Sequence, residues 1–399
     1  MATPRAARWQ FAVASGILGW ILDAYYFFIL IFLVDALAAR FHVGKAAIVW
    51  SITVTLAARP VGALLLGAAA DRYGRRAPLV ACVLFFSIVS ALTPFAPNYT
   101  SFLVLRALYG VGMGGYWGIG ASLVMESSPP RWRGLFSGIL QAGYTLGYLL
   151  AAAAMPLVVP RWGWQWAFLG GLLLALPIAL LTLLAPEPQA WLRNRLSGFR
   201  QLAPTLLKHK GEFAYLVLLM TAITCYAHGS QDLYPDFLRS AHGFSSLVIA
   251  KLAIFYNVGA ILGSIAIGQL SEKIGRRASI FVALAVALAA VPAWAFGGSL
   301  AALAAGAFVM QFGVQGVFGV IPAHLNELSP PAVRSMFPGL VYQLGMLIGA
   351  PSVSIEFALR GPLGYGWALA GFEIAAIAAM FLICGMGRER KNRDLATGA

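Results

Sequence analysis

Charged side chains are scarce in this sequence. Asp, Glu, Lys and Arg together make up 11% of its 399 residues, whereas 60% of the residues are hydrophobic. Because so little polar surface cannot cover a water-exposed exterior, a soluble globular domain is excluded. Uncharged stretches such as 77–105, 134–160 and 278–326 are long enough to cross about 30 Å of hydrocarbon. The sequence therefore predicts an all-α integral membrane protein.

Cysteine is rare as well, and the patterns typical of enzymes are missing. Cys82, Cys225 and Cys384 lie inside predicted spans, with neither disulfide nor metal spacing. No nucleophile–base pair, metal motif or phosphate-binding loop stands at a membrane boundary. We therefore expect no metal, no cofactor and no enzymatic activity. The short polar tails also argue against a membrane sensor, which would need an output domain.

Breaks at charges, glycines and prolines predict twelve membrane helices. The predicted helices are 11–34, 46–70, 78–95, 99–124, 134–158, 164–185, 213–235, 245–270, 278–297, 299–324, 335–358 and 364–386. With both termini cytoplasmic, 20 of the 28 basic residues lie inside, including Arg5 and Arg8, and 6 lie outside. This bias predicts a multi-pass protein of a cell membrane, the bacterial inner membrane. The net charge of +14 then reflects orientation and attraction to anionic membrane lipids, without a nucleic-acid partner.

The most informative pattern is a repeat at an offset of 201 residues. Asp71-Arg72-Tyr73-Gly74-Arg75-Arg76 is matched by Glu272-Lys273-Ile274-Gly275-Arg276-Arg277, and the segment from Glu126 to Gly138 is matched by that from Glu327 to Gly339. One offset held through several separate segments indicates two homologous halves. The predicted division is an N-terminal six-helix half (1–186), a polar linker (187–212) and a C-terminal six-helix half with a short tail (213–399).

Residues Gly67 to Arg76 read Gly-x-x-x-Asp-Arg-x-Gly-Arg-Arg. This loop resembles the signature of the major facilitator superfamily, and the second copy is a weaker version of it. The resemblance implies two pseudo-symmetric six-helix halves related by an axis along the membrane normal, with a substrate site near the midplane. It also implies a secondary transporter that works by alternating access.

Charged residues at helix ends can form ion pairs that hold one face of such a protein closed. On this ground we expect a cytoplasmic gate; the alternative is that these charges only enforce orientation. The predicted gate residues are Asp71, Arg72, Gly74, Arg75, Arg76, Glu126, Arg133, Glu272, Arg276, Arg277, Glu327 and Arg334.

Helix seven adds a narrower resemblance. His228-Gly229-Ser230-Gln231-Asp232 is similar to the core motif of lactate and pyruvate proton symporters in the sialate:proton symporter group. The segments from Gly19 to Phe28, from Ala58 to Ala63 and from Tyr342 to Gly345 are similar to the same group. The resemblance implies a small carboxylate substrate and protons as the transported partners.

Ionisable residues inside hydrocarbon normally face a cavity or a partner. Asp23 and Arg59 lie at about the same depth of helices one and two, near mid-bilayer. Arg59 can hold both oxygens of a substrate carboxylate, with Asp23 as a protonatable partner. The alternative interpretation is a structural Asp23–Arg59 ion pair, and both roles are compatible if protonation of Asp23 releases Arg59.

The spacing of His228 and Asp232 places both side chains on one face of helix seven. Histidine titrates near physiological pH, so this pair is a candidate proton relay, and the alternative is an outer gate fixed by hydrogen bonds. Arg106 in helix four is a candidate proton-coupling or structural charge. We expect Gln141, Tyr144, Asn257, Tyr342 and Gln343 to line the substrate site with Arg59.

The prediction as a whole is proton-coupled symport of a small monocarboxylate such as lactate or pyruvate by a functional monomer. A first alternative is uptake of a larger organic or sugar acid such as sialate, against which Thr224 and Met346 argue because they replace polar positions of the motif. A second alternative is proton-driven export of amphipathic compounds.

Overall fold

The computed structural model describes residues 9–196, 198–391 and 393–396, so Arg5 and Arg8 of the charge count lie outside the described residues. The twelve long helices confirm the predicted fold class, and we number them α1 to α12 in chain order. Helices α1 to α6 are Trp9–Phe32, Lys45–Tyr73, Arg76–Leu92, Tyr99–Ser127, Arg133–Leu157 and Gln165–Leu184. Helices α7 to α12 are Lys210–Gln231, Ser246–Ile274, Arg276–Phe296, Leu300–Leu328, the two segments Met336–Gly349 and Ser352–Leu363, and Tyr365–Met386.

Eleven of these described helices are long and apolar enough to cross a membrane. The twelfth, α4, is glycine-rich and 29 residues long. Helix α11 was expected to run unbroken over 335–358, but it is interrupted at Ala350 and Pro351, because proline lacks the N–H that would continue the hydrogen-bond ladder. The linker is more ordered than its polarity suggests, since it contains the helices Gln189–Asn194 and Leu202–Lys208.

Close helix contacts repeat in the two halves at the sequence offset. A Cβ added at Gly62 would lie 1.8 Å from the carbonyl oxygen of Val111, so α2 and α4 touch backbone to backbone. The equivalent contact joins α8 to α10, where a Cβ at Gly263 would lie 2.0 Å from the carbonyl oxygen of Phe312. Only glycine allows such an approach. The matching glycines therefore encode the same packing twice.

The two halves meet over only part of their length. We call the side that carries the linker and the 74–75 and 275 turns the linker face, and the opposite side the far face. Among the described residues, the hydrogen bonds that join the halves run from Asp71 and Glu272 at the linker face to Gln343, near the middle of the helices. Beyond that level no such bond is found in the described part of the chain. The structure is thus closed at the linker face and opens toward the far face.

Candidate functional site

Three charged side chains meet in the middle of the first half: Asp23 on α1, Arg59 on α2 and Arg106 on α4. Their exposed fractions are 0%, 3% and 1%. Both guanidinium groups act electrostatically on the Asp23 carboxylate. The Tyr109 hydroxyl donates to the main-chain oxygen of Asp23 at 2.7 Å and lies 3.4 Å from its Oδ1, while Arg106 lies 4.3 Å from the centre of the Tyr109 ring.

No direct ion pair holds this cluster together. In the described part of the chain, neither Arg59 nor Arg106 has a carboxylate oxygen within 4.0 Å of its nitrogens. Among the described residues, no hydrogen-bond partner is found for Asp23 Oδ2, Arg59 Nε, or Arg106 Nε and Nη1. The Asp23–Arg59 ion pair that the sequence left open is therefore not formed in this structure. Two buried cations share one acidic group, which leaves positive charge without a counterion.

Backbone packing places both arginines. A Cβ at Gly114 would lie 1.9 Å from the Arg59 carbonyl oxygen, and the Thr55 hydroxyl donates to the Arg106 carbonyl oxygen at 3.2 Å. Helices α2 and α4 are thereby locked in register, and the two guanidinium groups are positioned in the same interior.

Aromatic rings line the space next to Arg59. Tyr144 stacks on Trp20 with ring centres 5.6 Å apart, and it interacts electrostatically with Arg59. Across the boundary between the halves, Tyr342 stacks on Trp117 at 4.0 Å. The Trp117 indole N–H donates to Gln141 Oε1 at 3.1 Å. This surface offers large apolar faces and few hydrogen-bonding groups.

Two of the predicted lining residues differ in their position relative to this cluster. Gln343 is buried, its Nε2 donates to the Gly114 carbonyl oxygen at 3.5 Å, and its Oε1 has no partner. Asn257 instead donates from Nδ2 to the Ala253 carbonyl oxygen of its own helix at 2.8 Å. No contact in the described chain connects Asn257 with Arg59.

The His228–Asp232 pair lies at the far-face end of α7. His228 Nδ1 and Asp232 Oδ2 are 2.6 Å apart, and the side chains are 25% and 35% exposed. Asp232 also interacts electrostatically with Tyr144 of the other half and with Tyr256. The partly exposed pair therefore faces the opening between the halves.

The linker face is closed by a buried ionic network. Arg75 binds Asp71 at 2.5 Å and Glu126 at 2.9 Å within the first half. Asp71 also accepts the backbone N–H groups of Ser335 and Met336, at 2.9 and 3.0 Å, at the start of α11. A carboxylate of one half thus caps a helix N-terminus of the other, where the helix dipole favours negative charge.

The same network recurs in the second half. Arg276 binds Glu272 at 2.9 Å and Glu327 at 2.8 Å, and Glu272 accepts the backbone N–H of Gly134 at the start of α5. Two further pairs cross the boundary between the halves, Arg133–Glu327 at 3.3 Å and Arg334–Glu126 at 3.6 Å. Every partner is matched by its equivalent at the 201-residue offset. The copies differ in their caps, because Asp71 accepts two N–H groups from the other half and Glu272 accepts one.

The remaining predicted gate residues bind within their own half or to the linker and tail. Arg72 donates to the Leu196 carbonyl oxygen at 3.2 Å. Gly74 adopts φ +111°, and a Cβ there would lie 2.6 Å from Glu187. Arg76 donates to the Leu183 carbonyl oxygen, and Arg277 donates to the Cys384 carbonyl oxygen at 2.8 Å.

The C-terminal tail contacts this ionic network at the linker face. The Leu395 carbonyl oxygen accepts from Arg334 at 2.7 Å, and the Arg393 carbonyl oxygen accepts from Arg133 at 3.1 Å. In addition, Asn194 of the linker donates to the Ala396 carbonyl oxygen at 2.9 Å. The tail therefore contacts both halves and the linker.

Electrostatics distinguish the two arginines that lie in the loops of this network. Burial opposes the charge on Arg75, but Glu126 and Asp71 outweigh burial and raise the pKa of Arg75 above its ordinary value. Burial lowers the pKa of Arg334, against which the more distant Glu126 acts only in part. Arg334 Nε and Nη2 also have no hydrogen-bond partner in the part of the chain that the structure describes. The Glu126–Arg334 contact, at 3.6 Å, is longer than the Arg133–Glu327 contact between the halves, at 3.3 Å.

Sequence reasoning missed Tyr109, Trp20 and Ser335. Tyr109 follows Arg106 by three residues on the same buried face of α4, a signal that the sequence contained. Ser335 takes part through its backbone N–H and through its hydroxyl, 2.6 Å from that of Ser122, and no side-chain pattern indicates the backbone contact. No group of three or more His, Cys, Asp or Glu among the described residues could hold a metal ion.

Comparison with known proteins agrees with this architecture. The sequence description of the Major Facilitator Superfamily matches residues 16–353. The chain belongs to the Major Facilitator Superfamily. It is therefore a multi-pass membrane protein of a transporter family, and it resembles the sialate group within that family.

Two relatives and one solved structure illustrate the similarity. The chain is 28% identical to the carboxylic acid transporter protein homolog of Saccharomyces cerevisiae, over 96% of this chain and 68% of that protein. It is 26% identical to the sialic acid transporter NanX of Escherichia coli, over 94% and 93%. The proton:xylose symporter XylE shares the fold, with a TM-score of 0.76 and 16% identity, over 98% of each chain.

Proposed function

We propose that this superfamily member is a secondary active transporter that moves a small monocarboxylate together with a proton. The observation that carries the proposal is the charge imbalance at the cluster, where Arg59 and Arg106 share Asp23 as their acidic neighbour. One bound carboxylate anion would balance that charge, and guanidinium can hold both of its oxygens.

The surroundings of Arg59 favour a small acid with few hydroxyl groups. Trp20, Tyr144, Trp117 and Tyr342 supply aromatic faces, and Gln343 Oε1 is an acceptor without a partner. A sugar acid such as sialate would need many more polar partners. Lactate and pyruvate are therefore the leading substrates.

Sialate or another larger acid is the second candidate, which the similarity to the sialic acid transporter of Escherichia coli favours. Proton-driven export of amphipathic compounds is less consistent with an arginine in the cavity.

The coupling follows from charge conservation. One anion moving with one proton is electrically neutral, so each pH unit across the membrane supplies about 1.4 kcal/mol, or tenfold accumulation. Asp23 and the His228–Asp232 pair are the proposed proton-binding groups, and Arg59, Gln141, Tyr144, Tyr342 and Gln343 the proposed substrate-binding groups. We also propose that the linker face is cytoplasmic, in agreement with its excess of basic residues.

The test is uptake of labelled lactate, pyruvate and sialate into proteoliposomes under an imposed proton gradient. We expect gradient-stimulated uptake of a short monocarboxylate, and its absence refutes the proposal. Larger uptake of sialate than of lactate would select the second candidate.

A substitution tests the carboxylate assignment separately. Because removing one partner of a buried charge contact costs about 2–5 kcal/mol, Arg59→Gln should weaken substrate binding at least about thirtyfold. Arg131→Gln, which removes an exposed arginine at the linker face, is the matched control and should bind normally. Normal lactate binding by Arg59→Gln means that Arg59 is not the carboxylate site.

A further inference from the structure

Two buried acids in the second half have no role in the site described so far. Glu356, in the second segment of α11, is 1% exposed, and Glu373 in α12 is 0% exposed. All four carboxylate oxygens lack a hydrogen-bond partner in the described part of the chain. The two side chains are close enough to interact electrostatically.

The groups around this pair are acidic or neutral. From α7, Asp232 acts on Glu356, and Tyr226, whose hydroxyl is buried without a partner, is influenced by Glu373. Helix α9 also packs against α12, but its titratable residues Arg276 and Arg277 stand at its linker-face end. Arg360, four residues after Glu356 in the second segment of α11, contacts Asp236 at 3.5 Å. Among the described residues, no basic nitrogen lies within 4.0 Å of either glutamate carboxylate.

Gly229 of α7 lies beside the Glu373 carboxyl group, where a side chain would be close to it. A Cβ added at Gly229 would lie 3.0 Å from Glu373 Oε2, so a larger residue here would press on the carboxyl group. Gly229 follows His228, whose ring bonds Asp232. The Glu373 carboxyl group therefore lies against the part of α7 that carries the His228–Asp232 pair.

The fold itself does not require these acids. At the same positions of the first half, 201 residues earlier, the chain has Met155 and Leu172. A charged carboxylate in hydrocarbon costs about 2.5–3.5 kcal/mol on insertion scales, and two adjacent charges add repulsion. A protonated carboxyl group avoids both penalties.

We propose that Glu356 and Glu373 form a proton-binding site of the second half, which exchanges protons with the far-face opening. The proton binds to a carboxylate oxygen of the pair and is released from it, with no other bond made or broken. A role of this site in coupling rests on the proposed proton symport, whereas proton binding at the site does not depend on that proposal.

Infrared difference spectroscopy of the reconstituted full chain tests proton binding without any substrate. Between acidic and alkaline buffer, the wild type should show the carbonyl stretch of a protonated carboxylic acid. Glu373→Gln should remove part of that signal, because glutamine imitates the neutral acid in shape but cannot titrate. The matched control is Asp35→Asn, which changes a carboxylate that is 76% exposed and paired with Lys45, and should leave the signal unchanged.

Transport measurements test coupling. Glu373→Gln should retain exchange of labelled for unlabelled lactate at equal pH, while losing the gradient stimulation, which is about tenfold per pH unit for neutral symport. If Glu373→Gln does not reconstitute, Glu356→Gln serves in both experiments, with the same expected results.

The outcomes separate this proposal from the transport proposal. An unchanged carboxyl signal in Glu373→Gln, or normal gradient stimulation, overturns the proton site whatever the substrate is. If the wild type moves no short monocarboxylate but the signal depends on Glu373, the transport proposal fails and the proton site stands. A signal that sodium ions abolish at constant pH would assign the pair to a metal cation and overturn the proton assignment.

Discussion

The capping of α11 by Asp71 makes a strong prediction about the equilibrium between the two open states. Asp71→Asn removes the charge from a group that accepts two backbone N–H bonds from the opposite half, those of Ser335 and Met336. These bonds must break when the linker face opens. The Asp71–Arg75 pair lies within one half, so it persists in both states and contributes little to the difference.

The magnitude follows from the bonds that cross the boundary. A hydrogen bond to a charged group contributes about 1.5–3 kcal/mol, and asparagine retains one oxygen that can accept a weaker bond. We therefore expect Asp71→Asn to destabilise the linker-face-closed state by about 2–3 kcal/mol, a shift of roughly 30- to 150-fold toward the linker-face-open state. Glu272→Gln should shift it less, because Glu272 caps only Gly134.

The assay is distance measurement between spin labels on exposed linker-face residues of opposite halves. Arg131→Cys and Ile274→Cys provide the labels, in a background that lacks the native cysteines. Those cysteines are Cys82, Cys225 and Cys384. Asp71→Asn should increase the population of the longer distance.

A matched control separates gating from loss of a helix cap in general. Glu187, the first residue of the linker, accepts the backbone N–H groups of Arg75 and Arg76 at 2.8 and 3.1 Å. Both arginines lie in the first half, so these bonds do not join the two halves. Glu187→Gln should therefore leave the distance distribution as in the wild type. If both variants shift it equally, or if Asp71→Asn does not, the capping bond does not control the equilibrium.

Two further predictions concern packing and the tail. Gly114→Val should lower both the thermal stability and lactate binding, because its Cβ would press on the Arg59 carbonyl oxygen. Gly170→Val is the control and should lower neither, because the space around its Cβ is open; thermal melts and lactate binding of both variants test this. Removing residues 388–399 takes away the tail carbonyl oxygens that accept hydrogen bonds from Arg334 and Arg133. The same spin labels should then report more of the linker-face-open state. An unchanged distance distribution would contradict a role for the tail.

The positions of the twelve helices were predicted well from the sequence. Charged residues, glycines and prolines are disfavoured inside a membrane-spanning helix, so clusters of them marked the helix ends. The break of α11 at Pro351 was missed although the proline was visible, because prolines such as Pro60 and Pro177 lie within continuous helices. Whether a proline interrupts a helix depends on what its neighbours supply.

Site residues were predictable in type and depth but not in partnership. Asp23 and Arg59 were expected at one depth, and the structure places both in one buried cluster without the direct ion pair. Arg106 joins the cluster through Tyr109, a contact set by the packing of α1 on α4. The substrate and proton roles of these residues remain predictions.

The sequence by itself determined that this chain is a membrane protein, that it has twelve helices and that these form two related halves. Composition, helix length and a repeat carry that information, and each is local or periodic along the chain. Only the tertiary structure decided which face is closed, that Asp71 reaches the α11 backbone, and that Glu356 and Glu373 are both buried without hydrogen-bond partners among the described residues. Those facts depend on how the helices and the two halves dock, and a repeat that permits the halves to rock cannot specify one docked arrangement.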